Sequence, residues 1–308
     1  MSLGFRDVIM YLEPREQQLV NTVKTFFSEE PGFVFEKVAG AGAFAVTLCF
    51  SNRFAGPNDY RKIAVKAQPS GNEGLEEEKR FLRTTAGRWL HENTIITEYV
   101  ENGTLMDLQN RLGDPRALPN RLLWSIFLCL VNACVGMAYP PGNAFYQPRG
   151  PGEQLPEILP PGNRPPLNVE HADLHQGNIM IGNFDAYEHR LFPVLKIIDF
   201  GMAVPSDNAI EENIRAIGQV MCDLMWYGRD ISTLVDDKLA GGNLDPTLDF
   251  DLLFVAAECI KDNPAERPTL SQLLSAVRPN IQKTYPDIPE ETDAYIHQLL
   301  QEHLFNAS

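Results

Sequence analysis

The residues best equipped for chemistry stand in two short stretches, His171-Ala172-Asp173-Leu174-His175-Gln176-Gly177-Asn178 and Asp199-Phe200-Gly201. Asp173 and Asn178 are five residues apart on what reads as one loop, and Asp199 closes the apolar run Val194 to Ile198. A carboxylate such as Asp173 can accept a hydrogen bond from a hydroxyl and aim it. An amide oxygen and a second carboxylate are hard donors of the kind Mg²⁺ takes. Phosphoryl transfer from ATP asks for little else: phosphates held, charge neutralised and a hydroxyl placed in line. On this reading Asp173 orients the acceptor, its geometry counting for more than its proton affinity because the transition state is loose. Asn178 and Asp199 ligate Mg²⁺. His175 and the cysteines need no metal role.

Two upstream features complete such a set. Gly40-Ala41-Gly42-Ala43-Phe44-Ala45 follows a strand-like run, and small residues let backbone N–H groups approach phosphates closely. A tight glycine hairpin accounts for the same residues, and Ala45 stands where a phosphate-binding loop has its third glycine. Lys66, in Ile63-Ala64-Val65-Lys66, can reach the α- and β-phosphates. Its expected partner is Glu78, with Glu77 and Glu76 as alternates.

The elements that must position these residues are legible as changes of period. Residues 11–30 read as a helix stopped by Pro31-Gly32. The runs 33–40, 44–52, 61–68 and 94–100 read as strands, the first three forming an antiparallel meander. Leu75 to Arg83 has helical spacing. Beyond Gly103 come helices at 105–112 and 122–139. Residues 140–166, nine of them proline, form an irregular insert. Short strands lie at 178–182 and 194–200, and helix follows from Ile210. A strand-rich start and a helix-rich remainder define an α+β fold, with a small sheet lobe and a larger helical lobe. The expected divisions are a helical extension at 1–32, an N-lobe at 33–100, a C-lobe at 101–282 and a helical extension at 283–308.

Bulk properties narrow the partners. The net charge of −15 repels duplex nucleic acid, and Lys and Arg form no run. Five cysteines, four in apolar surroundings, read as reduced core thiols of an intracellular protein. The start, MSLGFRDVIM, has neither a basic segment followed by an apolar one nor Gly at position 2, so secretion and N-myristoylation are not expected. Leu122 to Tyr139 is nearly long enough to span a bilayer, but Ser125 and Asn132 interrupt it, and a buried core helix is the expectation. The reading is a monomer in the cytoplasm or nucleus, with neither nucleic-acid nor membrane partners.

From Phe33 to Arg278 these motifs, taken in order, resemble a eukaryotic-type protein kinase domain, and in particular the divergent kinase-like proteins of filamentous fungi, which share the Pro-rich insert and the phrase VLKIIDFG. The resemblance implies a bilobal fold with ATP and Mg²⁺ as cofactors. It implies an ATP site formed by Gly40, Gly42, Phe44, Ala64 and Lys66, with Thr97, Glu98 and Val100 at the adenine hinge. Asp173, Lys66, Glu78 and His175 are its implied catalytic residues. Asn213 stands where an Asp usually begins the central helix, and Arg267-Pro268-Thr269 is similar to the late C-lobe motif of protein kinases.

Several positions depart from the pattern. Ala172 replaces the Arg that pairs with an activation-loop phosphate, so control by loop phosphorylation is not expected. His175 stands in place of a Lys, and Asp-Leu-His-x-Gly-Asn is similar to aminoglycoside and choline phosphotransferases. Only eleven residues separate Gly201 from Asn213, which leaves no room for an APE motif and its peptide-docking segment. Arg267 therefore needs another partner, Glu211 or Glu212. The first expectation is a Ser/Thr-type protein kinase. The alternatives are a small-molecule phosphotransferase and a nucleotide-binding pseudokinase.

Overall fold

The computed structural model describes residues 12–30, 32–41, 45–56, 61–69, 75–76, 78–79, 94–113, 118–140, 159–162, 164–184, 189–226, 231–241 and 247–306. Residues 1–11 and most of the Pro-rich insert (141–158 and 163) lie outside them. The chain is a mixed α+β protein, and backbone contacts divide it into two compact units. The first holds the described residues up to Val100 together with Phe200–Met202, and the second holds the remainder.

In the first unit, β1 (Phe33–Ala41), β2 (Val46–Asn52), β3 (Lys62–Ala67) and β4 (Thr94–Glu98) form an antiparallel sheet in sequential order. Strand alternation separates its faces. Val46, Leu48 and Phe50 of β2 lie opposite Ala67, Val65 and Ile63 of β3. All six are buried with Val20, Val23 and Phe27 of helix α1 (Pro14–Glu29). Phe27 stacks on Phe50 with ring centroids 4.3 Å apart. The helix read at 11–30 closes the core on one face of the sheet. Ala64 and Lys66 alternate onto the other face, opposite Cys49 and Thr47.

The second unit is built around α3 (Asn120–Ala138), which packs on α4 (Ala209–Trp226), α7 (Leu270–Asn280) and β7 (Leu195–Ile197). Helix α3 is long and apolar enough to cross a membrane, and most of it is buried in this core. Helices α2 (Leu105–Leu112), α5 (Ile231–Leu239) and α6 (Phe250–Cys259) complete the main layer. Helices α4 and α6 approach so closely that a Cβ at Gly218 would lie 2.5 Å from the Cβ of Cys259. None of the five cysteines is in a disulfide, and all are buried. Burial pushes the Cys134 thiol up to about 12 and raises Cys259 as well, which removes thiolate chemistry from both.

Residues 283–306 contribute to this core. Ile296, Leu299 and Leu300 of α8 (Asp293–Leu300) and Leu304 of the following π-turn (Gln301–Phe305) are buried in it. Polar contacts fix the segment. Helix α3 begins after Pro119, which has no capping side chain, and the Glu291 carboxylate accepts the N–H groups of Asn120 and Arg121 in its place. Asp249 accepts from Trp124 Nε1 at 3.0 Å, from the Tyr285 hydroxyl and from Lys283 Nζ at 2.9 Å. Burial opposes the Asp249 charge, but the bonds from Lys283, Tyr285 and Trp124 outweigh it and hold the carboxyl below its ordinary 3.8.

A carboxyl whose pKa is depressed by folding stabilises the fold above its unfolded pKa and loses that contribution as pH falls through the folded value. Asp249→Asn should therefore lower the urea midpoint at pH 7, and the gap from the parent protein should close below the ordinary carboxylate range. In the same assay Ile296→Ala should cost about 2–4 kcal/mol at every pH, since it removes core volume and no charge.

Candidate active site

The segment leading to Asp173 is braced from beneath. Strand β5 (Val169–Glu170) pairs with β8 (Val204–Pro205), joining the residues after Asp199 to those before Asp173. From α4, the buried Asn213 accepts the His171 N–H through Oδ1 at 3.0 Å and donates through Nδ2 to the Val169 carbonyl at 2.8 Å. The His171 ring is fully buried. Its Nδ1 accepts the Asp173 N–H at 3.3 Å, so the proton sits on Nε2 and is donated to the Ile198 carbonyl at 3.0 Å. Burial lowers the His171 pKa, in keeping with a neutral ring in that tautomer.

Two residues in this region have left-handed backbone, Ala172 at φ 59° and Asp199 at φ 64°. For a non-glycine residue that conformation costs roughly 1–2 kcal/mol, and Asp tolerates it better than Ala. The hydrogen bonds on either side of Ala172, made by His171 and Asp173, hold it there.

Asp173, His175 and Asn178 converge. Asn178 Nδ2 donates to the Asp173 carbonyl at 2.9 Å and to its Oδ2 at 3.1 Å, which pins the carboxylate. With Nδ2 so used, Oδ1 is the atom that Asn178 can turn to a cation. The Asp173 side chain is 48% exposed, open enough for an incoming hydroxyl. His175 caps the turn Gln176–Asn178 through Nδ1, which accepts the Gly177 N–H at 3.0 Å. Its Nε2 lies 3.8 Å from Asp173 Oδ1, too long for a hydrogen bond. A Cβ at Gly177 would lie 2.8 Å from His175 Cε1, so glycine is what lets the ring fold back.

The β6–β7 hairpin brings in Asp199. Strand β6 (Ile179–Ile181) pairs with β7 so that Ile179 faces Ile197, and the Ile198 N–H donates to the Asn178 carbonyl at 2.9 Å. Asn178 and Asp199 therefore leave the same end of one hairpin. Among the described residues, no group of three or more His, Cys, Asp or Glu side chains could hold a metal by itself. The donors present, one amide oxygen and one exposed carboxylate, fit Mg²⁺, which takes one or two protein oxygens and completes its shell with phosphate and water.

In the first unit, Lys66 Nζ lies 2.6 Å from Glu78 Oε2, and the Glu78 side chain is only 5% exposed. A buried carboxylate needs such a partner. Glu76 is engaged elsewhere, with Lys79 at 2.7 Å, and the Glu77 alternate lies outside the described residues. Ala64 faces Thr97 across β3 and β4, and Ile63 faces Glu98. Val100 is buried. Gly40 is exposed at the end of β1, opposite Thr47, and a Cβ there would meet nothing within 4 Å. Gly42 and Phe44 lie outside the described residues.

Of the two partners open to Arg267, Glu212 supplies the carboxylate at 3.0 Å and Glu211 only its carbonyl, also at 3.0 Å. The guanidinium also donates to the carbonyls of Lys261 and Asp262. Sequence reasoning did not assign the His171 bridge or the left-handed residues. A buried His two residues before an exposed Asp has no periodic signature, and Ala172 is not a residue that announces positive φ.

The sequence matches no protein-family model and no curated protein.

Asn213→Ala strands the His171 N–H and the Val169 carbonyl, at a cost of about 1–3 kcal/mol. Amide exchange at His171 and Asp173 should accelerate by one to two orders of magnitude, while exchange in β1–β4 stays as in the parent.

Proposed function

We propose that this chain is an ATP- and Mg²⁺-dependent phosphotransferase with an alcohol as acceptor, on a kinase-like bilobal fold whose N-lobe is the sheet unit and whose C-lobe is the helical unit. The observation that carries the proposal is the Asp173–Asn178 pair. The amide donors of Asn178 hold the Asp173 carboxylate, and the hairpin register sends Asn178 and Asp199 out together. Asp173 accepts the proton side of the acceptor hydroxyl and aims its oxygen at the γ-phosphorus. Asn178 Oδ1 and the Asp199 carboxylate hold Mg²⁺, which when bound neutralises charge on the phosphates. Lys66, kept in place by Glu78, contacts the α- and β-phosphates. A closed ion pair with a nearly buried Glu78 supports catalysis over passive nucleotide binding, because a scaffold has no need of it.

The acceptor divides into two classes. The Arg267 anchorage supports a protein-kinase type of C-lobe and, with it, a Ser or Thr side chain as acceptor. The connection from Asp199 to α4 favours a small-molecule alcohol. Val204 and Pro205 are paired with Glu170 and Val169, the Ser206 N–H donates to the Asn168 carbonyl at 3.1 Å, and Ser206 then takes the Ala209 N–H at the start of α4. Little backbone is left there to receive a peptide.

Asp173→Asn should reduce transfer of label from ATP by at least about a thousandfold, with the thermal shift given by Mg·ATP retained. Undiminished transfer in that variant removes the catalytic assignment. Asp199→Ala should abolish the Mg²⁺ dependence of the ATP-induced shift, and a shift equal to that of the parent contradicts the metal role.

A further inference from the structure

The two carboxylate oxygens of Asp173 have different surroundings. Oδ2 is held by Asn178 Nδ2 at 3.1 Å, whereas Oδ1 accepts no hydrogen bond from the described residues. What faces Oδ1 is the His175 ring, whose Nε2 lies 3.8 Å away. The local fold decides which nitrogen the ring turns to it. His175 caps the turn Gln176–Asn178, and its Nδ1 accepts the Gly177 N–H at 3.0 Å. A ring nitrogen that accepts carries no proton, so the neutral ring has its proton on Nε2. The ring folds back this far because residue 177 has no side chain. A Cβ there would stand 2.8 Å from Cε1 and 3.1 Å from Nδ1. Nε2–H is therefore a fixed donor, it makes no hydrogen bond among the described residues, and its side chain is as exposed as that of Asp173.

Capping accounts for Nδ1 and leaves Nε2 without a task. A turn cap needs one acceptor, which Asn or Ser supplies with a smaller side chain. What an imidazole adds is a second nitrogen on the far side of the ring, here beside Asp173. Oδ1 and Nε2, 3.8 Å apart, are too distant to bond each other and close enough for one oxygen atom to sit within about 2.8 Å of both. A hydroxyl suits the pair. It donates its proton to Oδ1 and accepts from Nε2–H with one lone pair, which leaves the other lone pair for bond formation. A carboxylate oxygen could not donate to Oδ1, and an ammonium could not accept from Nε2–H.

Building on the phosphotransferase reading, we infer that His175 is a further catalytic residue, whose Nε2–H and Asp173 Oδ1 together hold the oxygen of the acceptor hydroxyl. That oxygen forms the new O–P bond with its remaining lone pair as the bond between the γ-phosphorus and the β,γ-bridging oxygen of ATP breaks. ADP departs with that electron pair. The hydroxyl proton passes to Asp173 and then to water. His175 keeps its own proton throughout and serves to orient the oxygen.

Variants that keep one ring nitrogen's task at a time test this on the full chain, with Mg²⁺, radiolabelled ATP, and water or glycerol as acceptor. Asn at position 175 can place an amide oxygen near the site of Nδ1, and Gln an amide nitrogen near the site of Nε2. H175N should keep the Gly177 amide protected from exchange and lower kcat about tenfold at an unchanged KM for Mg·ATP, the worth of one hydrogen bond to the reacting oxygen. H175Q should lose that protection and still turn over at least about fivefold faster than H175N. Gly177 does not have a positive φ, so Gly177→Ala should keep the unfolding midpoint, displace the ring and lower kcat as H175N does. A parental kcat in H175N or Gly177→Ala, or an H175Q no faster than H175N, assigns the ring to the cap alone and overturns the inference. If D173N still abolishes transfer, the phosphotransferase reading then stands. A parent chain that transfers no label to water, glycerol or a pool of Ser/Thr peptides overturns both.

Discussion

A neutral imidazole sealed in the helical unit is the interaction on which the candidate site depends. His171 faces two backbone segments that are far apart in sequence. It accepts from the amide of Asp173 and donates to the carbonyl of Ile198, the residue before Asp199. A protonated ring could not accept from Asp173, and burial keeps it neutral. Asn213 secures the same residue from α4 by engaging the His171 amide and the Val169 carbonyl. The left-handed backbone of Ala172 persists because these bonds flank it. From this anchor the turn carries Asp173 outward, half exposed, with Asn178 clamped to it. A rigid buried base under an exposed carboxylate is what positioning chemistry requires, since small displacements of an aligned group are costly.

The sheet unit solves a parallel problem with alternation. One face of β2 and β3 is consumed by α1, through Val20, Val23 and Phe27. The opposite face is thereby left to Ala64 and Lys66, and the Lys66 ammonium is satisfied by Glu78. A register slip of one residue would send Lys66 into the apolar core under α1 and Val65 out of it. The packing of α1 is therefore part of what positions Lys66, although α1 holds no residue with chemistry of its own.

The C-terminal residues serve the larger unit in the same indirect way. Glu291 caps α3 where Pro119 cannot, and Asp249 ties Trp124 to Lys283 and Tyr285. Helix α3 in turn packs on α4, which carries Asn213, and on β7, which leads to Asp199. The chain of support thus runs from Glu291 through the long buried helix α3 to both sides of the candidate site.

Much of this was legible in the residues alone. The four strands, the long apolar helix and the spacing of Asp173, Asn178 and Asp199 follow from period and residue type, which are local properties. Glu78 is the expected partner of Lys66, with Glu77 and Glu76 as alternates that helical geometry does not exclude. Only tertiary packing selects Glu78, because the choice depends on which carboxylate is buried against β3. The same holds for Glu212 over Glu211 at Arg267, and for the packing of residues 14–29 and 283–306, whose buried side chains depend on distant parts of the chain. The motif Asp173 to Asn178 stands out in the sequence by residue type and spacing. Its placement is decided by His171, Asn213 and the hairpin register, which are contacts between distant parts of the chain and leave no mark on local spacing.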